Sequence, residues 1–265
     1  TMKKKLVKKQ DKIVTRKWFD QWSNEYDRTL GSISFHRALL DLVVKNANLK
    51  EGNKILDIGC GTGLLSLKLL KKKDCLITGV DSSKEMAAVF VDKIKKLGLQ
   101  DSVSVTLMDA ACLKFEDNTF DRIVSTVTLH HLTDKLPVIK RIFRILKPGG
   151  IFIIGEVDMD STGQHADIRR LKRILRVLEE EWIPALKDVG VEAFAQMYDN
   201  GKKHILNQGE YCLSLNQWAQ ICRQAGFSPV RIARVRRHPC FGIVIAKKNR
   251  DKVAVKGVFD QPAQI

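Results

Sequence analysis

Between residues 54 and 156, short apolar runs rich in β-branched residues alternate with longer stretches whose apolar positions recur every three to four residues. The short runs predict strands at Lys54–Gly59, Leu76–Val80, Val103–Met108, Phe120–Thr126 and Gly150–Glu156, and the longer stretches predict helices near 62–72, 83–97 and 134–146. Strand and helix in regular alternation imply right-handed crossovers and a parallel sheet. The run Lys147–Pro148–Gly149–Gly150 stops the last of these helices and turns the chain into the fifth strand.

Outside this region the pattern changes. Residues 15–46 predict one or two helices, with Phe19, Trp22 and Tyr26 on one face. Residues 158–212 interrupt the alternation and contain an amphipathic helix whose apolar stripe is Leu171, Ile174, Leu175, Leu178 and Trp182, with arginines and lysines opposite. Ser214 and Gln217 form a capping box for a helix that Gly226 would end. Two closing strands follow, "VRIARV" and "FGIVIAKK", joined around His238–Pro239, and 249–265 reads as a tail. The expected organisation is N-terminal helices at 1–50 acting as a lid, a core of 51–157 with 213–248, and a helical insertion at 158–212 serving as a substrate lid.

Composition narrows the class. The chain has 265 residues, 44% of them hydrophobic and 29% charged, the balance of a soluble globular protein. No apolar run approaches the ~20 residues that span a bilayer. The six cysteines are dispersed, without zinc spacing or a disulfide framework, so no metal is expected and a reducing cytoplasm is the expected setting. A formal charge of +16 favours polyanions or anionic membrane surfaces. The excess clusters at 3–9, 71–73, 169–176 and 231–250.

The stretch "ILDIGCGTGLLSL" at 55–67 places three glycines at the first strand-to-helix turn, where an open parallel sheet collects its ligand. No Lys–Ser or Lys–Thr follows, which excludes a P-loop, and Leu64 stands where a dinucleotide fingerprint wants Gly or Ala. What remains is Asp57-x-Gly59-x-Gly61-x-Gly63. With "ITGVDSS", "MDAA", "FDRIVSTVTLHHL" and "ILKPGGIFIIGE", this pattern resembles the class I S-adenosylmethionine-dependent methyltransferases, over about residues 50–156 and loosely over the closing strands. The resemblance implies an α/β Rossmann-like fold, a seven-stranded mostly parallel sheet flanked by helices with an antiparallel last strand.

It also implies S-adenosyl-L-methionine as cofactor and S-adenosyl-L-homocysteine as product. A sulfonium cofactor without pyrophosphate would lay its methionine carboxylate on the loop and helix start formed by Gly59, Cys60, Gly61, Thr62 and Gly63, Thr62 adding a hydroxyl. Cys60 reads as a small filler there. Asp57 would pin the loop or meet the cofactor ammonium. Asp81 would accept the ribose hydroxyls, or with Ser82 cap the next helix. Asp109 and Ala110 stand where family members contact adenine, Met86 could cover its face, Thr126 lies beside the cofactor in quinone-type relatives, and Tyr26 resembles their aromatic lid.

Methyl transfer from a sulfonium is an in-line displacement in a dry site. His130 and His131, past the fourth strand, are the candidate catalytic bases if the acceptor must lose a proton, and Glu156 is a weaker one. The Asn/Asp–Pro–Pro–aromatic run of amino-methylating nucleic-acid enzymes is absent, as are the paired thiolates of arsenic methylation. The expected function is methylation of a small-molecule or isoprenoid/quinone-type acceptor. Two alternatives stand: an RNA methyltransferase using the basic surface, and a non-catalytic regulatory module that binds the cofactor. The basic helix at 167–182 could also rest on an anionic membrane. Oligomeric state is not expected to be legible.

Overall fold

The computed structural model describes residues 17–164 apart from 18, then 167–202 and 211–250. The basic stretch at 3–9, the start of the N-terminal helix at 15–16, the insertion's 203–210 and the tail beyond 250 lie outside the described residues. The core runs α1 (Ser34–Asn46), β1 (Asn53–Ile58), α2 (Leu64–Lys72), β2 (Cys75–Asp81), α3 (Lys84–Leu97), β3 (Val103–Leu107), β4 (Phe120–Thr126), α4 (Leu136–Ile145) and β5 (Leu146–Val157). After it come α5 (Ile168–Lys202), α6 (Leu215–Gln224), β6 (Val230–Val235) and β7 (His238–Lys247). All seven strands join one sheet in the order β3-β2-β1-β4-β5-β7-β6. The pairs among β1 to β5 are parallel, and β7 runs antiparallel to both β5 and β6, so the last strand is antiparallel as expected.

Alternation along each strand divides the core between two faces, because successive side chains point to opposite sides. Ile55, Ile77, Val124, Ile153 and Ile243 pack with Leu39 and Val43 of α1, Leu65 and Leu69 of α2 and Phe90 of α3. Their neighbours Leu56, Val80, Ile123, Phe152 and Val244 pack on the other face with Ile139 and Ile142 of α4 and Trp218 of α6. Strand order reverses between β1 and β4, and the crevice beyond their carboxyl ends is where this topology leaves room for a ligand.

The N-terminal region holds a helical turn at 19–22 and, after turns at 23–29 and a 3-10 turn at Leu30–Ser32, helix α1, in line with the one or two helices expected. Two expectations are corrected. β5 starts at Leu146 instead of Gly150, because the strand carries the Pro–Gly–Gly run as a register irregularity against β4, with Gly149 at φ +80°. On α5, Leu175 is 50% exposed, while Arg170, Ile174, Leu178 and Ala185 are buried. The expected stripe faces inward apart from Leu175, and Arg170 joins its buried side. Arg170 donates to the Ser161 carbonyl at 2.7 Å, and Arg173 donates to the carbonyls of Asp160 and Thr162, both at 3.0 Å. The capping box of Ser214 and Gln217 is present, and Gly226 follows the end of α6 with φ +106°. No helix among the described residues is long and apolar enough to cross a membrane.

Candidate active site

A cavity lies beyond the carboxyl ends of β1, β2 and β4. Its floor is the glycine loop, tied to the sheet because the amides of Gly59 and Cys60 both donate to the Val80 carbonyl, at 2.8 and 3.1 Å. The three glycines differ in what they do. A Cβ on Gly59 (φ +71°) would fall 2.2 Å from the Thr128 side chain, and one on Gly63 (φ +86°) would fall 2.1 Å from the Phe90 ring. A Cβ on Gly61 (φ +51°) would meet nothing within 4 Å. Gly59 and Gly61 line the cavity, whereas Gly63, expected in the cofactor site, is the N-cap of α2 and faces the core.

Carboxylates surround this loop. Asp81 accepts from the amides of Gly61 and Ser83, one on each oxygen and both at 2.8 Å, so it ties the end of β2 to the glycine loop and to the start of α3. Each oxygen keeps a further lone pair, so these two bonds leave acceptor capacity. Burial raises its pKa, and the amides of Ser83, Gly61 and Ser82 counter the rise. Asp57 is 1% exposed and accepts from the Ser66 hydroxyl at 2.6 Å. Burial pushes its carboxyl up to about 7, with Ser66 offsetting part of the rise. The Cys60 thiol is raised well above its ordinary value by burial and by Asp57 and Asp81, which leaves it an unreactive filler, as expected.

The segment before α1 lies across the loop. Asp27 accepts from the Thr62 hydroxyl at 2.5 Å and pairs with Lys93, and Lys93 also donates to the Thr62 carbonyl at 2.8 Å. Asp20 accepts from the Ser83 hydroxyl at 2.5 Å. Two carboxylates thus fasten residues 19–27 to both sides of Asp81. Phe19 and Tyr26 line the cavity below them, and the Tyr26 hydroxyl is pushed upward by burial and by Asp81 and Asp27. The Thr62 hydroxyl, expected to serve a ligand carboxylate, donates to Asp27 instead.

Ser82, Met86, Asp109, Ala110 and Thr126 also line the cavity. Asp109 caps the short turn after β3 by accepting from the Ala111 amide at 2.8 Å. The two histidines part company. His131 lines the cavity, with its ring 5.5 Å from that of Phe19. His130 is 4% exposed, and its Nδ1 is 2.7 Å from Glu156 Oε2, on the core side of the loop. Neither His130 nor Glu156 is among the residues that line the cavity. Glu156 Oε1 accepts from the amides of Thr128 and Leu129, at 3.2 and 3.1 Å.

Sequence reasoning missed four contributors. Val127 holds φ +50°, an uncommon conformation for a β-branched residue, and it turns Thr128 toward Gly59. Tyr211 reaches the cavity from the end of the insertion, its amide bonded to the His130 carbonyl at 2.9 Å. Lys135 is buried, donates to the Leu132 carbonyl at 2.6 Å, and lies within 6 Å of the Tyr211 and Trp218 rings; burial lowers its pKa to about 8. His36 of α1 also lines the cavity. Of the four, only Val127 sits in a quoted motif, and its conformation cannot be read from the sequence.

A seven-stranded sheet of this order with an acid-ringed glycine loop at its switch point defines a Rossmann-like nucleoside-binding class. The fold superposes on Haemonchus contortus phosphoethanolamine N-methyltransferase 2 in complex with S-adenosyl-L-methionine, with TM-score 0.62 and 18% identity, over 87% of this chain and 57% of that one. Residues 55–150 match a family model described as a methyltransferase domain. The chain is 34% identical over 149 residues to a demethylmenaquinone methyltransferase of Staphylococcus aureus, covering 55% of this chain and 61% of that protein. It is 29% identical over 161 residues to 27-O-demethylrifamycin SV methyltransferase of Amycolatopsis mediterranei, covering 58% and 59%. Among the curated relatives it matches, the chain spans from 45% to 62% of their own length. Residues 55–150 belong to the class I S-adenosylmethionine-dependent methyltransferase superfamily, whose cofactor is S-adenosylmethionine.

Proposed function

We propose that the protein is a methyltransferase that moves the methyl group of S-adenosylmethionine to a small, largely apolar acceptor of the isoprenoid or quinone type. The observation that carries this reading is the lining of the cavity, which combines the glycine loop, Asp57 and Asp81 with the apolar and aromatic side chains of Phe19, Leu132 and Tyr211, His131 among them. The cofactor, when bound, supplies an electrophilic methyl on a cationic sulfur. Asp81 and the Gly61 backbone hold the nucleoside, Met86, Asp109 and Ala110 border the base, and Thr126 borders the sulfur. Tyr26, carried on the fastened segment, serves with the helical insertion as a lid that excludes water. His131 is the group placed to take a proton from the acceptor, and Glu156 positions the loop that carries it. The relatives that act on demethylmenaquinone and demethylrifamycin support a small acceptor.

The electrostatics predict a pH dependence. A carboxyl with a pKa of about 7 must lose its proton to receive an ammonium. The cofactor therefore binds more weakly as pH falls through that value, by about tenfold between pH 8 and pH 6, and the dependence should vanish in Asp57→Asn. Calorimetric titration with S-adenosylhomocysteine across this range checks it; an unchanged slope in the variant would place the ammonium elsewhere.

The RNA reading keeps its exposed basic side chains on the helix, Arg169 and Arg176 among them, but Arg170 is buried against the Ser161 carbonyl and does not belong to that surface. A cytoplasmic setting belongs to the proposed reading, supported by six free cysteines, five of them buried. The deciding experiment incubates the chain with methyl-labelled S-adenosylmethionine and cell extract, then fractionates the label. Recovery in the organic or acid-soluble fraction is expected. Label lost on RNase treatment would overturn the assignment, and no label in any fraction would favour a binding module.

A further inference from the structure

All but one of the residues that line the cavity lie between Phe19 and Thr133; the exception is Tyr211. Among the described residues it is the one member of the insertion that reaches the site, since no residue of α5 does. Its backbone is held on both sides. The Tyr211 amide donates to the His130 carbonyl at 2.9 Å, and the Cys212 carbonyl accepts from the amide and the hydroxyl of Ser161, both at 3.1 Å. Tyr211 is thereby tied to the loop after β4 that carries His131, and the Phe19 ring lies 5.5 Å from that of His131. The cofactor reading gives Phe19, His131 and Tyr211 nothing to do, which leaves them for the acceptor.

A buried charge stands behind this part of the wall. Lys135, the N-cap of α4, is 6% exposed and does not itself line the cavity. Its ammonium donates to the Leu132 carbonyl at 2.6 Å and lies 5.7 Å from the centre of the Tyr211 ring and 5.4 Å from that of Trp218 on α6. An ammonium has three N–H donors, and one carbonyl satisfies only part of that demand. The negative faces of the two rings take up some of the remainder, and such contacts are strongest where water is excluded. Besides Tyr211, the titratable groups that bear on it are Glu156 of β5, Cys212 and Asp134. Burial lowers the Lys135 pKa to about 8 against the pull of Glu156, so the charge is present at neutral pH. A methionine of similar length would fill the same space without the cost of burying a charge. What the charge adds is a hold on two lining residues at once, Leu132 through its carbonyl and Tyr211 through its ring.

Resting on the methyl-transfer reading above, we propose that Lys135 is a positioning residue for the acceptor: it holds the Tyr211 ring in the cavity wall beside His131, as the surface on which the flat ring of a quinol-type acceptor rests. The cofactor, held by the glycine loop and its carboxylates, does not depend on it.

The probe is a naphthohydroquinone that carries a geranyl chain and an unmethylated ring carbon, assayed without oxygen at saturating S-adenosylmethionine. Binding of S-adenosylhomocysteine is followed in parallel by calorimetry. Lys135→Met is expected to raise KM for the quinol about tenfold, the size of a buried cation–ring contact, while kcat changes less than about threefold and S-adenosylhomocysteine affinity less than about twofold. Tyr211→Leu removes the ring and should give a similar rise. The double variant should be no worse than either single one, because both changes break the same contact. A shift from about pH 7 to about pH 9 removes the lysine charge, so the gap in KM between the wild type and each variant should narrow, the ionisation of the quinol being common to all. Additive losses in the double variant, or a gap that does not move with pH, would show that Lys135 only fills space. Equal weakening of the quinol and of S-adenosylhomocysteine would show that it supports the cavity as a whole; each of these results overturns the proposal. A wild type that binds S-adenosylhomocysteine but leaves the quinol unmethylated would remove the quinone-type acceptor and the proposal with it, whereas failure to bind S-adenosylhomocysteine would remove the cofactor reading itself.

Discussion

Glu156→Ala is expected to lower the unfolding free energy by about 3–5 kcal/mol, because it strips the partner from up to three buried polar groups at about 1–3 kcal/mol each. The side chain is wholly buried at the end of β5 and its two oxygens make three contacts, to His130 Nδ1 and to the amides of Thr128 and Leu129. Alanine leaves an imidazole and two amides facing a void, and each unsatisfied buried group carries its own desolvation cost. The loss also reaches Val127, whose left-handed conformation is held from one side by its own amide bond to the Gly155 carbonyl, at 2.9 Å, and from the other by Glu156. In a chain of this size the change corresponds to a fall in melting temperature of roughly 10 °C. Glu156→Gln keeps an acceptor for the two amides and should lose less than half as much. Calorimetric melting of the three proteins decides the matter: a fall of under about 1 kcal/mol in the alanine variant would show that the loop after β4 is anchored by something else.

The glycine loop supplies the second large effect, and its three positions separate folding from binding. Gly63→Ala forces a methyl into the Phe90 ring and a β-carbon onto φ +86°. The conformational cost is about 1–2 kcal/mol, and overpacking against a ring in the core adds about 1–3 kcal/mol. Gly61→Ala meets no protein atom and sits near the left-handed well, so it should cost only about 1 kcal/mol of stability. Its methyl, however, enters the space the cofactor would use. The expected outcome is a crossed pair: Gly63→Ala melts early but retains affinity for S-adenosylhomocysteine in whatever fraction remains folded, and Gly61→Ala melts close to the wild type and binds at least tenfold more weakly. Equal affinity in Gly61→Ala and wild type would show that the ligand does not pass over this glycine.

The sheet and most of the cavity were legible because each rests on local signals. The strands carry their own period, the glycines mark a turn that only positive φ can make, and Asp81 and Asp109 follow directly from where strands end. Twelve of the thirteen residues expected around the cofactor line one cavity; Gly63 fails because a motif glycine can serve packing as readily as a ligand. What stayed hidden depends on distant pairings. His130 and His131 are adjacent in sequence with identical chemistry, and only Glu156, 26 residues away, decides which of them turns inward. The same holds for α5. Its helical wheel places Leu175 inward and the arginines opposite, but Arg170 is buried, its guanidinium bonded to the Ser161 carbonyl, and Leu175 is exposed. His36 carried no motif, and its environment appears only once α1 and α2 are packed.

The fastening of residues 19–27 has a kinetic corollary. Asp27 and Lys93 are partly solvent-accessible, with 38% and 23% of their side chains exposed, so their attraction is weakened by dissolved ions in a way that the aromatic contacts beneath them are not. Ionic strength therefore acts on the rate at which this segment lifts more than on the architecture below it. Release of spent cofactor from the cavity should quicken as salt rises, while the melting temperature of the sheet hardly moves.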